Sequence, residues 1–392
     1  MVSLLLAIIY LAFISLGLPD SLLGSIWSIA HKELGVSLSY MGYITIIISS
    51  GTVLSSLFAD KLNNKLSTGV VVFISILLTA LGLFGFSIAK EYYMLLIFAI
   101  PYGLGAGAID ASLNNYVALH YSSRHMSWLH CFWGVGTLVG PFVMTYALTY
   151  GSGWHQGYSI ISIIQFCLAF IMLMSLGIWK NVKHEKKEKK EEVIQQALTF
   201  KEKFSIKGIW FLLIGFFAYS AVETVVMGWA SSFMVNSKNV DAVTAASFAS
   251  FFFIGMTLGR FISGFVTNKL GDKIMIRIGY AILLLGIILV MLPINEIALP
   301  GFIIIGLGCS PIYPAIIHST PNNFESKYSQ AIIGLEMAFA YIASIGMPYI
   351  FGLIADYITI DIMPIYLLFF SLISITMLEI LSYKNKRRNL NE

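Results

Sequence analysis

Charged side chains are what this sequence has least of. They make up 11% of its 392 residues, where a soluble domain carries about 25%. Soluble enzymes and receiver domains are excluded on that ground. Cysteine is scarce too: Cys131, Cys167 and Cys309 are the three. All fall in apolar runs, with no CxxC spacing and no His-rich neighbourhood, so neither a disulfide framework nor a metal site is indicated. They read as small apolar core residues. No GxxxxGK[ST] motif is present, which argues against an ATP-driven pump. The start, Met1-Val-Ser-Leu-Leu-Leu, has no basic n-region and no small-residue cleavage site, and reads as a first membrane helix rather than a signal peptide. No enzymatic activity and no cofactor is expected.

What the chain does have is 58% apolar residues, gathered into runs of about 20, the length that crosses a bilayer as helix. The runs fall at 3–29, 38–59, 68–89, 92–120, 128–150 and 158–179, then at 208–235, 242–267, 275–292, 298–318, 330–355 and 362–383. The expected fold is all-α and polytopic, with twelve spans in two six-helix bundles, 1–179 and 208–392. The stretch 180–207 is a solvated charged connector between them, and the chain ends in a short basic tail.

Lysine and arginine placement orients the spans. With the N-terminus inside, the inner loops, connector and tail hold twenty of the 24 basic residues; the outer loops hold Lys32, Lys90 and Lys238. Both termini are therefore expected on the cytoplasmic side of the cell membrane. This distribution also accounts for the net charge of +4 without a nucleic-acid partner.

The halves repeat. Gly51, Ser56, Asp60, Lys61, Leu62 and Lys65 recur at Gly259, Gly264, Asn268, Lys269, Leu270 and Lys273, always 208 residues on. Gly103-Leu104-Gly105 recurs as Gly306-Leu307-Gly308 after 203, and Gly140-Pro141 is echoed by Met347-Pro348 after 207. A repeat in helix order across a long linker is the signature of a duplicated six-plus-six transporter.

Ionisable residues inside spans are costly and mark function or a partner. Asp20 lies in span one, Asp110 in four, His130 in five, Glu223 in seven, Arg260 in eight, His318 at the end of ten and Glu336 in eleven. Spans three, six and nine have clean interiors. The pattern assigns one, four, seven and ten, with five, eight and eleven, to the protein interior, and three, six and nine to lipid. The densest stretch is Tyr102–Tyr116: Asp110 and Asn114 are four apart and share a helix face, while Gly103 and Gly107 let another helix approach closely.

The loop Ser56-Leu-Phe-Ala-Asp60-Lys61-Leu-Asn-Asn-Lys65, with its second copy Gly264–Lys273, resembles the loop motif of the major facilitator superfamily. Asp110-Ala-Ser-Leu-Asn114, and Tyr219-Ser-Ala-Val-Glu223 with Trp229, resemble motifs of its fucose/glucose/galactose symporter branch and of sodium-dependent glucose transporter-like relatives. The sequence departs from the branch in having Asp at 110 for Glu; Gly17-Leu-Pro19-Asp20 matches its first helix only loosely. The resemblance implies import of a sugar or similar small polar metabolite by a monomer through alternating access, coupled to H+, with Na+ as the alternative ion. A second reading is a proton-coupled efflux antiporter, since Gly136-Thr-Leu-Val-Gly140-Pro141 partly resembles an antiporter motif. A non-transporting membrane sensor is disfavoured for want of a receiver domain.

Candidate roles follow. Asp110 suits proton coupling: neutralised in a partly dehydrated site, it turns from acceptor to donor toward a hydroxyl. The alternative is a structural hydrogen bond. Asn114 offers a donor and an acceptor to a polyol, or glue between helices. Glu223, on span seven of the other half, is the expected acidic counterpart of Asp110. Asp20 follows helix-breaking Pro19. His130 is a proton shuttle or a structural histidine, and Glu336 is a further coupling candidate. Trp133, Tyr219, Trp229 and Tyr313 offer faces on which a sugar's C–H surface packs; lipid or core packing is the first reading for any one aromatic, and Trp133 and Trp229 are the two retained. By resemblance, Asp60, Lys61, Lys65, Arg260, Asn268, Lys269 and Lys273 gate the cytoplasmic face. Positive-inside topology alone explains the lysines but not Arg260, which replaces Thr52 of the first half.

Overall fold

The computed structural model describes all residues except 1, 21, 38–39, 188–197, 241 and 392. Among the described residues there are helices and turns and no strand. In chain order the helices are α1 (Val2–Gly17), α2 (Leu22–Glu33), α3 (Met41–Leu57), α4 (Ala59–Leu66), α5 (Thr68–Ser87), α6 (Tyr92–His120), α7 (Ser123–Tyr150) and α8 (Trp154–Lys187). After them come α9 (Phe200–Ser205), α10 (Ile209–Asn236), α11 (Ala242–Leu270), α12 (Asp272–Met291), α13 (Asn295–Asn323), α14 (Ser329–Tyr357) and α15 (Met363–Asn391).

Ten stretches of the described residues are long and apolar enough to cross a membrane, and eleven if the bent pair α3–α4 counts as one span. Twelve were expected from the sequence; α11 holds the place of the eighth. The first span is broken around Pro19: α1 stops at Gly17 and α2 starts at Leu22, whereas α6, α7, α13 and α14 continue through prolines. The charged connector is not featureless. α8 continues into it as far as Lys187, and α9 opens on a capping box in which the Thr199 N–H donates to Glu202 Oε2 at 2.7 Å. Residues 188–197 of the connector lie outside the described residues.

The chain forms two compact units. The first comprises Met1–Tyr116, Leu129–Ala197 and Ser326–Ala338; the second comprises Val117–Trp128, Leu198–Glu325 and Phe339–Glu392.

In the first unit α6 is the helix that others pack on. A Cβ at Gly103 would meet the Ile48 carbonyl of α3, and one at Gly107 the Thr52 carbonyl. Backbone contact of this kind is how helices associate where lipid supplies no hydrophobic drive. On its other side Gly105 lies against Ser75 and Thr79 of α5. α7 meets α1 in the same way, Gly136 against Ile14 and Gly140 against Leu18. In the second unit Gly255 of α11 meets Ile303 of α13, and Gly306 of α13 meets Phe252 of α11. We expect Gly107→Val to force α6 off α3, at a cost of about 1–3 kcal/mol or more, and to lower the unfolding temperature in detergent. Gly228→Ala on α10, where an added Cβ meets nothing within 4 Å, should leave that temperature unchanged or raise it slightly.

Burial corrects the assignment of faces. The windows on the first span, α6, α10 and α13 are 59%, 61%, 72% and 72% buried, in line with an interior position. However, α5, expected to face lipid, is 61% buried, and α7 and α14, expected inside, are 28% and 33% buried. The reasons are local. Gly82 and Gly85 of α5 receive Tyr102 and Phe98 of α6. α7 packs on its glycine face and leaves Leu138, Val139 and Phe142 exposed. Cys309 is buried, as expected of a core residue, but Cys131 is half-buried and Cys167 exposed, on a helix only 33% buried.

Candidate functional site

Each unit holds buried ionisable groups. In the first, α6 brings Asp110 and Asn114 to one face. Asn114 Nδ2 donates to Asp110 Oδ1 at 2.8 Å, and His130 Nε2 of α7 lies 3.1 Å from Asn114 Oδ1. A carboxylate only accepts, so the amide must turn its NH2 to Asp110. Its oxygen is then left for His130, whose Nε2 must carry the hydrogen. The result is an ordered line from imidazole through carboxamide to carboxylate. All three side chains are buried, and the edge of Phe13 closes over His130 with centroids 5.5 Å apart. Asn114 Nδ2 also approaches Met337 Sδ at 3.9 Å. Its amide is engaged on every side rather than held out toward a solute.

The break after α1 exposes Asp20 and lets it accept two hydrogen bonds. Trp133 Nε1 donates to Oδ2 at 2.8 Å, and the Tyr102 hydroxyl donates to Oδ1 at 3.5 Å. The sequence offered Asp20 and Trp133 as separate candidates; the structure joins them and adds Tyr102. Glu336 is wholly buried on α14, next to Met337.

In the second unit Glu223 of α10 and Arg260 of α11 form an ion pair at 3.5 Å, with both side chains buried. Arg260 is thus the counter-ion of Glu223, whereas the equivalent Thr52 merely donates to the Ile48 carbonyl at 2.8 Å. Tyr219, one turn before Glu223, is fully buried and donates to the Cys309 carbonyl at 2.9 Å. Tyr313 lies 4.8 Å from the Phe216 ring and 6.2 Å from that of Tyr219. Trp229 is half-buried, donates from Nε1 to the Pro348 carbonyl at 3.0 Å and meets Phe351 edge to face. Of the four aromatics, Trp133, Trp229 and Tyr313 are half-buried and Tyr219 is wholly buried.

The loop residues divide by burial. Asp60 is buried; Lys61 and Lys65 are exposed, with Lys61 Nζ 5.2 Å from the Phe58 ring centroid. In the second unit Asn268, Lys269 and Lys273 are exposed, and Asn268 Oδ1 accepts from the Arg124 N–H at 3.1 Å.

Two polar networks had no role from sequence. In the first unit Asn115 Nδ2 donates to Gln330 Oε1 at 2.8 Å, and Ser329 Oγ donates to Asn115 Oδ1 at 2.6 Å. In the second, His318 Nδ1 pairs with Asp272 Oδ2 at 2.7 Å, and Ser123 joins Asp272 and Thr267. Their residues lie 46 to 215 apart in sequence. Only the intramembrane position of Asn115 and His318 hinted at them.

Comparison with known proteins gives the family. The profile described as Major Facilitator Superfamily matches residues 9–345 and, again, 212–391. The glucose/mannose transporter GlcP of Bacillus subtilis is 24% identical over 74% of this chain and 72% of its own length. The fold is similar to that of the Escherichia coli fucose:proton symporter FucP (TM-score 0.74, 16% identity, 96% of this chain and 98% of that one). It is likewise similar to that of the proton:xylose symporter XylE bound to 6-bromo-6-deoxy-D-glucose (TM-score 0.76, 13% identity, 96% and 95%). This chain belongs to the Major Facilitator Superfamily and is a multi-pass, all-helical membrane protein with the fold of that family's transporters.

Proposed function

We propose that this protein is a proton-coupled symporter that imports a sugar or similar small polar metabolite across the cell membrane by alternating access, with both termini in the cytoplasm. The observation that carries the reading is the buried line Asp110–Asn114–His130. It holds a carboxylate in a buried site, fixed through the Asn114 amide to an imidazole. Such a carboxylate exchanges its proton between two surroundings more readily than it stays charged in both. Asp110 is the coupling group in this reading, and His130, a second titratable group, fixes the Asn114 amide that holds it. Glu223, held by Arg260, is the acidic group of the second half, and Asp20 and Glu336 are further coupling candidates. Trp133 and Trp229 supply apolar faces for a sugar's C–H surface. The lysines at 61, 65, 269 and 273, with Asp60 and Asn268, gate the cytoplasmic side.

The resemblance to GlcP, FucP and XylE supports a sugar, and two of those three are named as proton symporters. A monomer suffices, moving the sequence halves 1–179 and 208–392 against each other. The antiporter reading keeps one observation in its favour: Gly136 and Gly140 give α7 a close seat on α1. The two separate in a thermal-shift screen of the purified protein. Stabilisation by hexoses or pentoses, and not by lipophilic cations, is expected, since a ligand bound at 100 times its Kd adds about 2.7 kcal/mol. Stabilisation by lipophilic cations alone would replace import with drug efflux.

A further inference from the structure

The second membrane span of the first half breaks where its counterpart does not. α3 ends at Leu57, α4 begins at Ala59, and the two are bent by 57°. α11 carries the matching stretch, through Asn268 and Lys269, as one continuous helix to Leu270. Both stretches finish in the same backbone geometry, Ser67 at φ 71°, ψ 153° and Gly271 at φ 78°, ψ 160°. Seven residues lead from Asp60 to Ser67 but only three from Asn268 to Gly271. The first copy has therefore gained about one helical turn. This insertion is why the repeat offset falls from 208 at Asp60 toward 203 at Gly103.

The bend and the added turn border a groove of about 330 Å3. Leu54, Phe58, Leu62, Leu66, Ile74 and Leu78 form most of its lining. Of its two hydroxyls, that of Ser55 is already donated to the Thr52 carbonyl at 3.2 Å. The groove is thus apolar, of the size that takes small ligands, and it lies on helices that cross the membrane. What surrounds such a surface is hydrocarbon. At its edge stand two exposed lysines one turn apart, Lys61 and Lys65, which share a helix face. Lys61 Nζ lies 5.2 Å from the ring centroid of Phe58, itself part of the lining, so the ammonium sits at the rim. The positive-inside pattern puts this rim at the cytoplasmic leaflet, where anionic lipids concentrate.

We propose that this groove is a binding site for one anionic phospholipid, an acyl chain lying along Phe58, Leu62 and Leu66 and the headgroup phosphate held by Lys61 and Lys65. Apolar furrow and paired cations together match a molecule that is hydrocarbon at one end and anionic at the other. The second copy is a built-in control, since Lys269 lies at the end of the unbent α11 and Lys273 lies beyond Gly271 on α12, so the two do not share a helix face beside a bend.

The test is native mass spectrometry of the full-length protein in mild detergent, titrated with phosphatidylglycerol or phosphatidylcholine of the same acyl chains. The wild type is expected to retain one phosphatidylglycerol in preference to phosphatidylcholine. Lys61→Gln and Lys65→Gln should each weaken retention about fivefold at low salt, the equivalent of about 1 kcal/mol per lysine. Leu78→Trp, which fills the groove, should weaken retention of both lipids, while Lys269→Gln with Lys273→Gln should match the wild type. Equal retention of the two lipids would overturn the proposal. So would equal losses in the two lysine pairs, or full retention in Leu78→Trp.

Discussion

Asp110→Asn is expected to abolish uphill accumulation in proteoliposomes while solute exchange across the same membrane continues. The replacement keeps shape and one acceptor oxygen. The 2.8 Å bond from Asn114 can persist, and with it the order of His130 behind it. What is lost is the proton: a carboxamide neither takes nor releases one near neutral pH. Under a pH gradient the ratio of internal to external solute should therefore fall to unity, whatever the rate of exchange. His130→Gln makes a useful companion, since it offers an N–H to Asn114 Oδ1 but cannot itself take up a proton. It should slow accumulation more than exchange. Uphill transport at the wild-type level in Asp110→Asn would remove Asp110 from the coupling path.

Arg260→Ala should be among the most damaging single substitutions for stability. Glu223 and Arg260 are both buried and 3.5 Å apart. Removing the guanidinium leaves a carboxylate without its counter-charge, a change that costs about 3–5 kcal/mol in buried pairs. The penalty belongs mostly to the abandoned charge rather than to the lost attraction. Glu223→Gln in the Arg260→Ala background should therefore recover much of the loss, seen as a higher unfolding temperature in detergent for the double variant than for the single one. A double variant no more stable than the single one would mean that Arg260 is held for its packing. Transport should not recover, because in this account Glu223 acts through its charge.

What the sequence conveyed and what it concealed divide along physical lines. Features set by local chemistry were legible. Pro19 disfavours a continuous helix and α1 ends two residues earlier. Gly103 and Gly107 share a face, and that face carries α3. Asp110 and Asn114, four apart, meet as helical geometry requires. Features set by packing were not. The bend at Phe58 contains neither proline nor glycine, and only the shift in repeat offset betrayed the extra turn. Arg260 read as a gate residue because its neighbours in the repeat are loop residues. Its partner lies 37 positions away on another helix, beyond what spacing reveals. Tyr219 read as an aromatic wall, yet its hydroxyl is committed to the Cys309 carbonyl. The Asn115–Gln330 bond joins residues 215 apart, and neither amide announces the other. Charge patterning sorted α6, α10 and α13 correctly to the interior. It failed for α5, whose buried face mixes Gly82, Gly85, Ser75 and Thr79 with Val72, Ile76, Leu83 and Phe86 and so carries no charge to mark it.

The central claim is inward movement of a proton together with a polar solute. It is tested most directly by recording external pH in a weakly buffered suspension of proteoliposomes while a sugar identified by thermal shift is added, with no sodium present. Alkalinisation of the medium is expected, lost in Asp110→Asn and abolished by a protonophore. Acidification on adding solute, or no pH change until sodium is supplied, would contradict it.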